Sequence, residues 1–157
     1  MSTYEIYLFG HFVGVFVFLA SGGIGIATSI MATRTTSASV VSAMLTLQRK
    51  TDLYVFTLGG VLIILFGTLL VDEAGYGFEE AWISAAYVII LVMFGLVHGI
   101  MSPRMKPARE YAASLGNAAV DDELKERLKN PLVDAAGALM LVALIAVLWL
   151  MVVKPGA

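Results

Sequence analysis

The sequence predicts an all-α membrane protein: a four-transmembrane-helix bundle, N-out/C-out, with a short cytoplasmic helical connection between helices three and four. Two observations predict it. Apolar stretches run over residues 6–32, 53–71, 81–101 and 131–153. Each is long enough to cross a hydrocarbon core of about 30 Å, which takes about 20 residues at 1.5 Å per residue. Nine of the ten Lys and Arg residues also fall on one side of those stretches. Composition agrees. Hydrophobic residues make up 59% of the chain and charged residues 14%, against about 45–50% and about 25% in soluble domains. Residues 1–157 read as a single transmembrane domain, with no room for a separate globular one.

The charges set the expected threading. Arg34, Arg49 and Lys50 lie between spans one and two, and Arg104, Lys106, Arg109, Lys125, Arg127 and Lys129 between spans three and four. Only Lys154 joins Glu5, Asp72, Glu73, Glu79 and Glu80 on the other side. The positive-inside rule then puts both basic connections in the cytoplasm, and the expected location is a bacterial inner membrane. The first span lacks a basic leading region and exceeds the usual length of a signal core, so it is expected to be retained. The absence of cysteine excludes disulfides, thiolate metal sites and covalent haem attachment. The expected partners are the lipid bilayer and a homo-oligomer or larger membrane protein complex. No nucleic acid is expected.

Along the first span, Gly10, Gly14, Ser21 and Gly25 stand at offsets of 4, 11 and 15 and share one helical face. Small residues let backbones approach where lipid is as apolar as leucine. The seam is either internal, against the second or fourth helix, or a dimer or partner surface. Residues 33–52 are expected to continue as a helix along or just inside the membrane surface. On span two, Gly60 and Gly67 share a face that could receive a neighbour. Tyr4, Tyr7, Tyr76, Trp82, Tyr87 and Trp149 form an aromatic belt at the outer interface. Pro103 and Pro107 are expected to stop span three as a straight helix. Asp121 or Asp122 caps a short cytoplasmic helix carrying a Glu123/Arg127 pair. Pro131 suits the first turn of span four.

Chemistry points first to the two histidines. His11 lies about two turns into span one and His98 near the inner end of span three. Two axial haem nitrogens must lie about 4 Å apart. The threading separates these residues by roughly 15 Å of depth, so they cannot share one haem. His98, Met101 and Met105 stand at i, i+3 and i+7 and could together hold haem or Cu(I). Methionine packing explains the same residues without a metal. His11 is either a buried hydrogen-bonded histidine or a ligand or proton-handling group. At the inner face, Asp52, Asp134, His98 and Arg49 are expected to form a polar cluster, with both carboxylates at helix starts where the dipole favours them. Every mid-span position is apolar, Gly, Ser or Thr, which argues against an ion channel or coupled transporter. No phosphate-binding loop, nucleophile elbow or zinc-protease motif is present.

The stretches IYLFGHFVG, SGGIG, LQRKTD and LWLMVVKP, the GT pair ending span two and the WI opening span three suggest a family. The chain resembles small bacterial four-helix membrane proteins of unknown function. Their architecture is similar to copper-resistance D-type and HemJ-type membrane proteins. The HemJ-type resemblance implies haem at a first-helix histidine, which here is His11. The expectation for function is a non-catalytic structural or accessory membrane subunit acting by helix packing. The alternative is a haem- or metal-handling redox protein using His11 or His98. The threading is directly testable. Single cysteines at Gly75 and Gly116 are expected to label from opposite sides of the membrane, Gly75 from outside; labelling from one side would end the topology argument.

Overall fold

The computed structural model describes residues 2–156 and is helical throughout its length apart from short connections. Helix α1 spans Thr3–Arg34, α2 Ala38–Glu73, α3 Ala81–Leu115, α4 Asp122–Leu128 and α5 Pro131–Val153. Four helical stretches are long and apolar enough to cross a membrane: α1, α2, α3, and α4 with α5 together. Sequence-encoded caps fix the starts. Ser2 and Glu5 form a capping box on α1, through Glu5 N–H to Ser2 Oγ at 3.2 Å and Ser2 N–H to Glu5 Oε2 at 2.8 Å. Asp121, rather than Asp122, caps α4 by accepting the Leu124 N–H at 2.8 Å. That bond holds the Asp121 carboxyl below its usual range. Asn130 caps α5, with Pro131 in its first turn.

Two expectations about helix ends need correction. Residues 38–50 do not form a separate surface helix but run straight into the second span, giving one helix of 36 residues. The reason is a second apolar core at the basic end. Ala38, Val41 and Leu45 recur on one face and meet Ala32, Ala108, Ala112 and Leu124, all buried. The alanines bring the backbones close enough to continue the bundle beyond the membrane-spanning region. Pro103 and Pro107 likewise do not end α3, which continues to Leu115. Both prolines are exposed, so the carbonyls that lose their helical donors can turn to water.

Both long inner helices contain a π-helical segment, Thr51–Phe56 in α2 and Gly95–Met101 in α3. Helix α1 packs chiefly on α2, and α5 on α3. The two pairs meet through a membrane core of Phe18, Phe56, Ile63, Ile90, Met93, Val97 and Ala143. The α1–α2 contact is the closest. A Cβ at Gly14 would stand 2.8 Å from the Ile63 nitrogen, and one at Gly59 would stand 2.7 Å from the Phe18 nitrogen. Gly10 lies beneath the Phe66 ring and Gly60 against the Phe94 ring. Ser21 is buried and donates its hydroxyl to the Phe18 carbonyl at 2.6 Å. Gly25, on the same stripe, has no neighbour within 4 Å.

The stripe therefore divides into a crowded half and an open half. Gly14→Leu or Gly59→Leu should cost at least the 1–3 kcal/mol typical of overpacking (about that range in soluble cores), because the obstacle is backbone. Thermal melts with size-exclusion chromatography should record lower stability without a clean change of assembly. Gly25→Ala should cost nothing and gain at most about 1 kcal/mol of helix propensity.

Candidate functional site

Because the two helix pairs are held apart by large side chains, the cleft between them is incompletely filled. A cavity of about 220 Å³ lies toward the acidic end and one of about 520 Å³ toward the basic end. Ile63 and Ile90 line the first; Phe18, Phe56, Met93 and Val97 line the second. These residues belong to one core cluster, which forms the wall between the cavities.

His11 lines the acidic-end cavity. Its Nδ1 stands 3.2 Å from the Ile63 carbonyl oxygen. A carbonyl only accepts, so Nδ1 carries the proton and donates, leaving the Nε2 lone pair unprotonated. Gly67 makes the space, since a Cβ there would stand 3.4 Å from the imidazole. Nε2 has no hydrogen-bond partner among the described residues.

Above His11, toward the acidic end, the cavity is lined by Tyr4, Tyr76, Trp82 and Lys154. Trp82 is 6% exposed, and its indole N–H is the one buried side-chain polar atom without a partner among the described residues. A buried unsatisfied donor costs about 1–3 kcal/mol. Tyr76 meets Trp82 edge-on at 5.6 Å. The Lys154 ammonium sits 5.4 Å from the Tyr76 ring centre and 5.7 Å from that of Trp82. Lys154 occupies the left-handed position after α5, with φ 46°, where glycine is the usual residue. It forms no salt bridge with a carboxylate among the described residues.

The other residues singled out by the sequence are distributed differently. His98 lines neither cavity. Its Nε2 is 3.2 Å from the Thr57 hydroxyl, and that hydroxyl gives its only proton to the Asp52 carbonyl, so Nε2 is the donor. Phe56 and Phe94 flank the ring, each with its centre 5.9 Å away. Met101 and Met105 instead line the basic-end cavity. The expected His98–Met101–Met105 face rests on a 3.6-residue period, and the π-helical turn through Gly95–Met101 breaks that period. Asp52 and Asp134 both line the basic-end cavity, whereas Arg49 does not and makes no salt bridge to either among the described residues. His11 and His98 contact α2 at Ile63 and Thr57, six residues apart. That is about 9 Å of rise between the two contact points on α2. No group of three or more His, Asp or Glu residues suited to a metal occurs among the described residues.

The resemblance-implied haem was a question of fit. Ligand pockets for drug-sized molecules run from about 300 to 1,000 Å³. The 220 Å³ beside His11 is smaller than that range, so a haem macrocycle does not fit there without parting the helices. The larger cavity is lined by no histidine.

The fold and cleft define a multi-pass helical membrane protein with a small interhelical cavity. Residues 6–155 match the family described as predicted integral membrane proteins, DUF2269, and the chain belongs to it. No curated protein and no solved structure matched the chain.

His11→Ala and His98→Ala each remove one interhelical hydrogen bond. Each is expected to cost about 0.6 kcal/mol and at most about 2, as for other membrane interiors. Denaturation in detergent measures this. Loss of a stoichiometric visible chromophore from either variant would overturn the hydrogen-bonding assignment.

Proposed function

We propose that this protein resides in the bacterial inner membrane and binds a small lipophilic molecule in the acidic-end cavity, with His11 as its hydrogen-bonding anchor. The supporting observation is the commitment of Nδ1 to the Ile63 carbonyl, which leaves Nε2 available beside a cavity. A histidine kept only for stability needs no such space. Several rings surround the cavity, and its remaining walls are aliphatic. That is the usual make-up of a small-molecule site: apolar walls with few polar groups. The site lies at the end of the bundle that the positive-inside rule turns outward.

A second reading is an accessory subunit that docks a partner helix or a second copy. Gly10, Gly14, Gly59 and Gly60 cannot serve it, because neighbours within the chain occupy them. Gly22, Gly23 and Gly25 favour it, since nothing lies within 4 Å of a Cβ at any of them.

Native mass spectrometry of gently solubilised protein separates the two readings. Ligand binding predicts a single chain carrying a small-molecule adduct. Gly67→Leu, which places a side chain beside His11, should remove that adduct while leaving the chain folded by circular dichroism. An adduct unchanged in Gly67→Leu would overturn the assignment to this cavity. A co-purified polypeptide without any adduct would favour the accessory role.

A further inference from the structure

The two ends of the acidic-end cavity make opposite demands on a ligand. We infer that the ligand is a lipophilic quinol, a ring with a hydroxyl at each end, and that the site selects the quinol over its quinone. This rests on the cavity being a ligand site, as proposed above.

At the outer end the chain offers a donor. The Trp82 N–H is enclosed, with no surface open to a guest. The donor is the Lys154 ammonium, which lines the cavity and is held over Tyr76 and Trp82 by a left-handed backbone turn. The Tyr87 hydroxyl is already committed. Thr68 gives its proton to the Ile64 carbonyl at 2.7 Å, so Tyr87 must donate to Thr68 at 2.6 Å. The ammonium has no carboxylate partner among the described residues, so an oxygen with open lone pairs suits it.

At the deeper end the chain offers an acceptor. His11 Nε2 has a lone pair and no proton, and the tautomer is held because Nδ1 faces a carbonyl that cannot donate. A group carrying an O–H is what this end lacks. One molecule that accepts near Lys154 and donates near His11 meets both demands. The lining at the His11 level includes Ile63 and Gly67 and at the outer level Ala74. Gly67 to Ala74 is about 10 Å of helix rise. That length accommodates one small ring with an oxygen at each end. The volume of about 220 Å³ also suits one ring. Tyr4, Phe12, Tyr76, Trp82 and Tyr87 supply aromatic walls for a flat guest.

The same geometry distinguishes two oxidation states. A quinol donates its deeper O–H to Nε2. A quinone turns a carbonyl lone pair toward the Nε2 lone pair, leaving both unsatisfied. Loss of one hydrogen bond with an unpaired buried group corresponds to about tenfold or more in affinity. No electron transfer is proposed, only recognition.

The probes are tetramethyl-hydroquinone, its benzoquinone and its dimethyl ether, each titrated anaerobically into detergent-solubilised full-length protein. Binding is read as a ligand-dependent rise in melting temperature. The quinol should stabilise the protein at concentrations at least about tenfold lower than the other two. His11→Leu should abolish the difference between quinol and quinone, and Lys154→Met should weaken all binding. Wild-type discrimination stands without any variant, should one fail to fold. Equal binding of all three probes, or tighter binding of quinone, would overturn the quinol assignment while leaving a lipophilic site in place. No binding of any probe, together with no native adduct, would overturn both.

Discussion

The backbone contact between α1 and α2 at Gly14 and Gly59 is the constraint on which the remaining structure depends. Helix association in lipid gains little from apolar burial, so packing quality decides which helices pair. At this crossing each glycine faces the other helix's main chain, with no room for even a methyl group. The consequence reaches His11, three residues before Gly14. With the axes so close, its imidazole extends to a carbonyl of α2 rather than to a side chain. A wider crossing would leave that ring without its anchor and its tautomer undefined.

The α3–α5 pair meets the first pair on different terms. Phe18, Phe56 and Phe94 stand between them, with ring centres 4.4 Å apart for the first two and 5.2 Å for Phe56 and Phe94. Rings hold helices farther apart than glycines do, so the cleft narrows at the aromatic waist and opens on either side. The cavities follow from unequal spacers. The π-helical segments lie close to this waist. In α2 the segment is accompanied by the Thr57 hydroxyl bonding to the Asp52 carbonyl five residues back at 3.2 Å. Such segments interrupt the helical register and occur often at functional sites. Here one carries His98, and the other ends immediately before Thr57, its anchor.

The four spans, the Asp121 cap of the short helix and Pro131 at the start of the last span were legible in the sequence, because each depends on local composition or spacing. What was missed depends on register or on distant contacts. Residues 38–50 carry small apolar residues that read equally well as a surface helix; only Ala108 and Ala112, some 70 residues later, make them a core. The His98–Met101–Met105 face failed because no residue in GLVHGIM announces a π-turn. Trp82 was grouped with Trp149 in the interfacial belt. Trp149 is 54% exposed, but Trp82 is buried beneath Lys154, and nothing in the sequence pairs the lone outer lysine with it.

The waist also bears on what kind of activity the cleft can have. Passage between the cavities would require Phe18, Phe56 and their neighbours to move apart together, and these residues are almost fully buried. His98 packs against Phe56 and Phe94 at this boundary with its Nε2 committed to the Thr57 hydroxyl, and no acidic or basic side chain belongs to the described core cluster that forms it. Each chamber is therefore closed at the waist. A guest in the acidic-end chamber would enter from the membrane or from its outer surface and leave the same way. An ammonium at the mouth and a fixed acceptor at the bottom would hold such a guest in one orientation and offer it no route through the protein.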